Sequence, residues 1–188
     1  MDTIIKNMKA AWGITGSSDD IKRILDTVKC VKERYDQVDI RVYISKSGEQ
    51  VLRMYLLWDE LISSFSRVQV EKSPNTPFLA GELQSGKYDF FIIAPTTSNT
   101  TAKIALGLGD SMISNAMNMA TKAGVPVYIL PCEIGEALTE TVLPDGKVLK
   151  LRIRKIDSDH IKSLEALESV HVLRDAQEII KVFEENYL

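Results

Sequence analysis

Histidine and cysteine are scarce in this chain, with two of each among 188 residues. Cys30 and Cys132 stand too far apart to build a structural zinc site or an iron–sulfur cluster, which draw several ligands from closely spaced positions. A disulfide between them is not expected in a reducing compartment. His160 and His171 both fall in the C-terminal region and read as surface or tail-packing residues, so a histidine-based nucleophile or metal site is not expected. Charge imbalance is missing too: 23 basic residues face 26 acidic ones, for a net charge of -3. Nucleic acid and acidic membrane surfaces both call for a basic patch, and neither is expected as a partner. No apolar run approaches the roughly 18 residues of a membrane helix. The start, MDTIIKNMK, has no signal-peptide core, so the expectation is a cytoplasmic protein. GITGSSDD lacks the Gly-Lys-Ser/Thr ending of a P-loop and the triple-glycine dinucleotide fingerprint.

What is present is an ordinary globular balance, 45% apolar and 26% charged, in a length suited to one domain over residues 1–188. Apolar runs at Met8–Thr15, Val38–Ser45, Tyr88–Pro95 and Val127–Leu130 predict strands, with a shorter one at Arg67–Lys72. Between them, helical spacing at Ile21–Val31, Glu49–Phe65, Phe78–Gly86 and after Pro95 predicts helices. This alternation predicts an α/β fold, a doubly wound parallel sheet flanked by helices. The pattern breaks at about 139–155, where a Pro-Asp-Gly turn between β-prone runs predicts a hairpin. Helices at Ser158–Leu167 and Asp175–Asn186, with a brief strand at Val170–Leu173, complete the expected order. The large side chains Tyr55, Trp58, Leu61 and Phe65 read first as core packing, with a subunit contact or a wall around a flat ligand as the alternative.

The stretch from Tyr88 to Asn118 stands out. Its apolar run ends in Ala94 and Pro95, and six hydroxyl or amide residues follow: Thr96, Thr97, Ser98, Asn99, Thr100 and Thr101. One such residue suffices to cap a helix, so six in a row invite a ligand at the helix start, where free backbone NH groups favour negative charge. Two other predicted strand ends are similar, Thr15-Gly16-Ser17-Ser18 and Ser45-Lys46-Ser47-Gly48. In a doubly wound sheet these turns converge on one edge and together suit a phosphate with a sugar-like chain, although each alone fits a helix cap. Asp110 is expected to cap the helix that restarts after Gly107 and Gly109.

APTTSNTTAKIALGLGDSMISNA and the opening GITGSS resemble the signature of the FMN-binding flavoprotein family that includes the homo-oligomeric flavin-containing cysteine decarboxylases. The likeness is nearest to the archaeoflavoprotein and dihydromethanopterin reductase (acceptor) branch, and runs through NTPFLAGELQSGKYD and VPVYILP to LRIR. The resemblance implies a Rossmann-like fold with FMN at a subunit interface, in a homotrimer or an assembly of trimers. It implies phosphate and ribityl contacts from Thr15, Gly16, Ser17 and Ser18 with Ser45 and Ser47. It also implies flavin contacts along Ala94, Pro95, Thr96, Thr97, Ser98, Asn99 and Thr100, with Lys103 nearby. Cys132 falls where relatives bring a side chain to the ring, although it reads first as a small packing residue at a strand end.

The decarboxylases carry a catalytic histidine about a dozen residues before the Ala-Pro pair, where this chain has Gly81. Their Pro-x-Met-Asn segment is replaced by Pro131-Cys132-Glu133-Ile134. The expectation is therefore an FMN oxidoreductase or electron-transfer protein, with the flavin carrying the chemistry. Electrons would come from a ferredoxin-like donor and go to a pterin or a protein acceptor. The alternatives are a non-redox flavoenzyme, either a phosphopantothenoylcysteine-type decarboxylase or a flavin prenyltransferase, and a flavin carrier.

Overall fold

The computed structural model describes residues 7–135 and 138–187. Two strands occupy its middle, β1 (Met8–Ile14) and β4 (Phe90–Thr96), and β4 is buried along its whole length. Because side chains alternate across a strand, Phe90, Ile92 and Ala94 enter one layer with Trp12 and Ile14, while Phe91 and Ile93 enter the other with Ala11. A strand apolar on both faces needs cover on both. The first layer is closed by α1 (Ile21–Arg34), α2 (Lys46–Met54), α3 (Trp58–Ser64) and α8 (Glu178–Tyr187). The second is closed by α4 (Leu79–Gln84), α5 (Ser98–Ala105), α6 (Met112–Lys122) and α7 (Lys155–Glu165).

The remaining strands are β2 (Val38–Ile44), β3 (Val68–Val70), β5 (Val127–Pro131), β6 (Leu138–Val142), β7 (Val148–Arg152) and β8 (Val170–Val172). Six of the eight form a parallel sheet in the order β3-β2-β1-β4-β5-β8. The chain winds outward in one direction as far as β3, then returns to β4 beside β1 and winds the other way. This is a Rossmann-like α/β fold, and its direction reverses between β1 and β4, the crevice where such sheets bind ligands. The Trp12 indole NH donates to the Ala94 carbonyl at 2.8 Å, which satisfies the one polar atom of the largest buried ring.

β6 and β7 pair antiparallel as the expected hairpin, apart from the main sheet. Leu138, Val142, Val148, Leu149 and Leu151 all remain exposed on it. The hairpin is tied to the body by the Thr141 hydroxyl, which donates to Asp19 Oδ1 at 2.6 Å, and by the Tyr55 hydroxyl, which donates to the Val142 carbonyl at 2.7 Å.

Three expectations are corrected. The helical pattern over Glu49–Phe65 is two helices, because Leu56 adopts a left-handed φ of 57° and the Leu57 amide turns back to the Leu52 carbonyl. The helix expected from Ser158 begins at Lys155, since the Asp157 carboxylate accepts from the Arg154 amide and closes a capping box one turn earlier. Asp110 caps nothing: Ser111 is the N-cap of α6, in a reciprocal box with Ser114, and Asp110 pairs instead with Lys103 at 3.0 Å.

Candidate functional site

The turns that follow β1, β2 and β4 meet at the carboxyl edge of the sheet, around a cleft of about 410 Å³. Its size falls in the range of small-molecule sites. Thr15 and Gly16 reach it from the first turn, Ser45, Lys46 and Ser47 from the second, and Thr97, Asn99, Thr100 and Lys103 from the third. The N-termini of α2 and α5 both open here. Ser45 caps α2 by accepting from the Gly48 amide at 3.0 Å, and Thr97 caps α5 by accepting from the Thr100 amide at 3.2 Å.

Close approach of the first two turns depends on Gly16. A Cβ there would lie 2.6 Å from Ser47 Cβ and 3.2 Å from its backbone carbon, so any larger residue would force the turns apart. The first and third turns are bound together by Thr15. Its hydroxyl donates to the Pro95 carbonyl at 2.9 Å and accepts from the Thr97 amide at 2.8 Å.

The other sequence-derived candidates lie behind or beside this cleft. Ala94 is in the core, and the fully buried Thr96 donates its hydroxyl to the Ile93 carbonyl at 2.7 Å. Thr96 thus ends β4 rather than starting a helix. Ser17 turns to Asp19, donating to Oδ2 at 3.2 Å, and Ser18 lines a separate groove of about 750 Å³ that runs between the start of α1, the α2–α3 bend and the hairpin turn. Pro95 and Cys132 line a small recess of about 140 Å³ behind the third turn. Burial pushes the Cys132 thiol up, the Ser17 hydroxyl opposes this, and the charges of Asp19 and Glu133 add to it. A thiol in that setting stays protonated and is a poor nucleophile.

Sequence reasoning missed several residues. Glu71, just past β3, lines the cleft, and its carboxylate accepts from the Met112 amide at 2.7 Å and the Lys46 amide at 3.4 Å. Ser111 and Ile113 at the start of α6 also face the cleft, and the Ser-x-x-Ser spacing was the readable sign of that helix start. Glu133, Asp157 and Arg154 gather beside Ser98. Burial raises the Glu133 pKa against the Ser98 hydroxyl, whereas hydrogen bonds from Arg154 hold Asp157 below the usual carboxylate range.

The cleft therefore combines three helix N-termini, two lysines, several hydroxyls and one carboxylate already engaged by amides. Such a set suits an anion carrying a hydroxylated chain. A Rossmann-like sheet with this crevice defines a ligand-binding α/β protein of the doubly wound class. The chain belongs to the Flavoprotein family, whose model matches residues 2–185. It is 42% identical over 175 residues to an uncharacterized protein of Methanocaldococcus jannaschii, covering 93% of this chain and 94% of that one. It is also 28% identical to the dihydromethanopterin reductase (acceptor) of the same organism, covering 94% of this chain and 96% of the reductase. Among solved structures it matches Burkholderia xenovorans DmrB in complex with FMN, described as a cubic protein cage for redox transfer. That match has a TM-score of 0.80 and 26% identity, and covers 96% of this chain and 95% of DmrB. Among the described residues no helix is long and apolar enough to cross a membrane.

Proposed function

We propose that this protein is an FMN-dependent oxidoreductase that takes electrons from a ferredoxin-like donor and delivers them to a pterin or a protein acceptor. The observation that carries the reading is the convergence of three hydroxyl-rich turns on one cleft at the β1/β4 switch point. The residues present fit FMN. Gly16, Ser45 and Ser47, with the N-terminal turn of α2 and Lys46, offer donors and positive potential for a phosphate. Thr97, Asn99 and Thr100 offer side chains to a polyhydroxyl chain and a flavin ring, and Lys103 adds a cation. Thr15 and Ser17 have their hydroxyls engaged within the protein, so their part is to hold the turns in register. Bound FMN would supply the electron-transfer chemistry, and the protein its position and electrostatics.

Reductase relatives support the choice of a redox activity. The alignment with the M. jannaschii reductase spans 236 positions against the 188 residues here, so that reductase carries insertions with no counterpart in this chain. With two cysteines in all, electrons must enter this chain from a separate donor. Like the cage-forming DmrB, the chain is proposed to assemble as a homo-oligomer, built from trimers. Its exposed apolar surface at Met54, Leu56 and the hairpin supports this.

The test is reconstitution. Purified protein incubated with FMN and desalted should remain yellow, and reduced ferredoxin should bleach it under anaerobic conditions, with the colour returning when a pterin acceptor is added. Protein that stays colourless after incubation with FMN sinks the reading. FMN that is retained but not reduced by any ferredoxin-like donor leaves a flavin carrier instead.

A further inference from the structure

Among the described residues, Glu71 is the one carboxylate lining the cleft, opposite Lys46 and a Lys103 already paired with Asp110. Its backbone is fixed. The Glu71 amide donates to the Ile44 carbonyl at 2.8 Å, continuing the β2–β3 pairing, and the Lys72 amide donates to the Thr76 carbonyl at 2.7 Å. From there the side chain reaches two helix starts at once. Oε1 accepts from the Met112 amide at 2.7 Å and Oε2 from the Lys46 amide at 3.4 Å, which belong to the first residues of α6 and α2.

Both helices have ordinary caps besides. Ser45 accepts from the Gly48 amide at 3.0 Å, and Ser111 from the Ser114 amide at 3.3 Å. A capping side chain serves the second or third amide of a helix, so the first is left over. That leftover amide and the positive end of the helix are what a bound anion uses. At α2 and α6 an anion from the chain itself, Glu71, has taken both.

The two bonds are unequal. The Met112 bond, at 2.7 Å, is short for an amide donor, whereas the Lys46 bond, at 3.4 Å, is longer than a good one. A phosphate arriving at the start of α2, where the FMN reading puts it, competes with Oε2 for the Lys46 amide. That amide is given up at little cost while Met112 keeps the carboxylate in place. The phosphate then sits beside a fixed negative charge in a cleft partly shielded from water, where like charges repel. An uncharged ligand feels no such repulsion.

We propose that Glu71 is a specificity-determining residue: an internal anion that holds the starts of α2 and α6 in the empty cleft, cedes the Lys46 amide to the phosphate of a bound flavin, and by its charge limits what that phosphate adds to affinity. The inference rests on the FMN reading above and adds to it what sets the preference for a phosphorylated over an unphosphorylated flavin.

The experiment measures the dissociation constants of FMN and of riboflavin, which lacks the phosphate, by flavin fluorescence at one pH and low salt. Wild type and Glu71→Gln are compared, with folding checked by circular dichroism. Glutamine keeps an oxygen for the Met112 amide and removes the charge. It should tighten FMN binding about fivefold and leave riboflavin essentially unchanged. The gain should shrink as salt is added, as an electrostatic effect does. A purely structural role would move both flavins together. Where the glutamine variant does not fold, Glu71→Ala takes its place and should raise the preference for FMN over riboflavin in the same way. A preference for FMN that stays the same or falls overturns the inference while the FMN reading stands, as does riboflavin binding that weakens alone, which would make Glu71 an acceptor for the hydroxylated chain. If neither variant folds, Glu71 is part of the scaffold and the inference is likewise overturned. If wild type binds neither flavin, the flavin reading itself fails and this inference with it.

Discussion

The Thr15 hydroxyl bridges the two strands at the switch point, donating to the Pro95 carbonyl at 2.9 Å and accepting from the Thr97 amide at 2.8 Å. Thr15 is 2% exposed, so water cannot replace either bond. Thr15→Val keeps the shape and removes the hydroxyl, leaving the Thr97 amide without its partner, while the Pro95 carbonyl still accepts from the backbone amide of residue 15. The expected cost is about 1–3 kcal/mol, read as a lower midpoint in chemical denaturation. Thr15→Ser, which retains the hydroxyl, should recover most of it. Equal midpoints for the valine and serine variants would mean that the bridge carries no stability.

Gly16→Ala asks whether the contact between the first two turns matters for binding as well as for folding. The added Cβ would meet Ser47 Cβ at 2.6 Å, which is not the far end of a flexible chain and cannot swing aside. Overpacking of this kind costs about 1–3 kcal/mol. Because the displaced atoms line the cleft, FMN affinity should fall by at least tenfold, and the loss should exceed that of Ser18→Ala, whose side chain faces the other groove. The two dissociation constants, measured by fluorescence quenching, check this.

Most of the sheet was legible because its strands carry unbroken apolar runs. Phe90–Ala94 can only be central, and the alternation in Val38–Ile44 shows which side chains face which layer. The break at Leu56 was not legible, since leucine is a helix former and gives no warning of a left-handed φ. Of the site, the three turns could be read because hydroxyls cluster at strand ends. Whether a hydroxyl points to a ligand or to its own backbone could not. Thr15 and Thr96 look alike in sequence to Thr97, yet Thr15 ties β1 to β4 and Thr96 bonds back to its own strand. Glu71 gave no sign either, since its role depends on β3 ending opposite the starts of α2 and α6, a tertiary relation with no local pattern.

Leu56 is 88% exposed in a backbone conformation that costs a bulky residue about 1–2 kcal/mol. The turn is held by the Leu57 amide on the Leu52 carbonyl, but the Leu56 side chain itself gains little burial among the described residues, which agrees with a role in the proposed subunit contact. Leu56→Asp should shift the assembly toward smaller species by light scattering. Leu56→Asn tolerates the left-handed turn better and should give a more stable protomer once dissociated. An unchanged mass for the aspartate variant at micromolar concentration would remove Leu56 from the contact.

Glu133 and Asp157 should also leave opposite marks on stability as pH changes. The folded-state pKa of Glu133 is raised, by burial first, then by Asp157 against the pull of Ser98. A carboxyl raised in this way contributes stability that is complete below its unfolded pKa of about 4.3, and loses it as pH rises through the folded value. Asp157 is lowered, by the Arg154 hydrogen bonds first, so its contribution is present above about pH 3.9 and is lost as pH falls through the folded value. Glu133→Gln should therefore melt near wild type in acid and progressively above it toward neutral pH. Asp157→Asn should melt below wild type at neutral pH, and the gap should close in acid. Because the two carboxyls adjoin, removing either also relieves the other, and the double variant should show less pH dependence than the two single effects added together. Thermal melts of the four proteins across pH measure this directly. Parallel curves for wild type and Glu133→Gln would show that folding does not raise the Glu133 pKa.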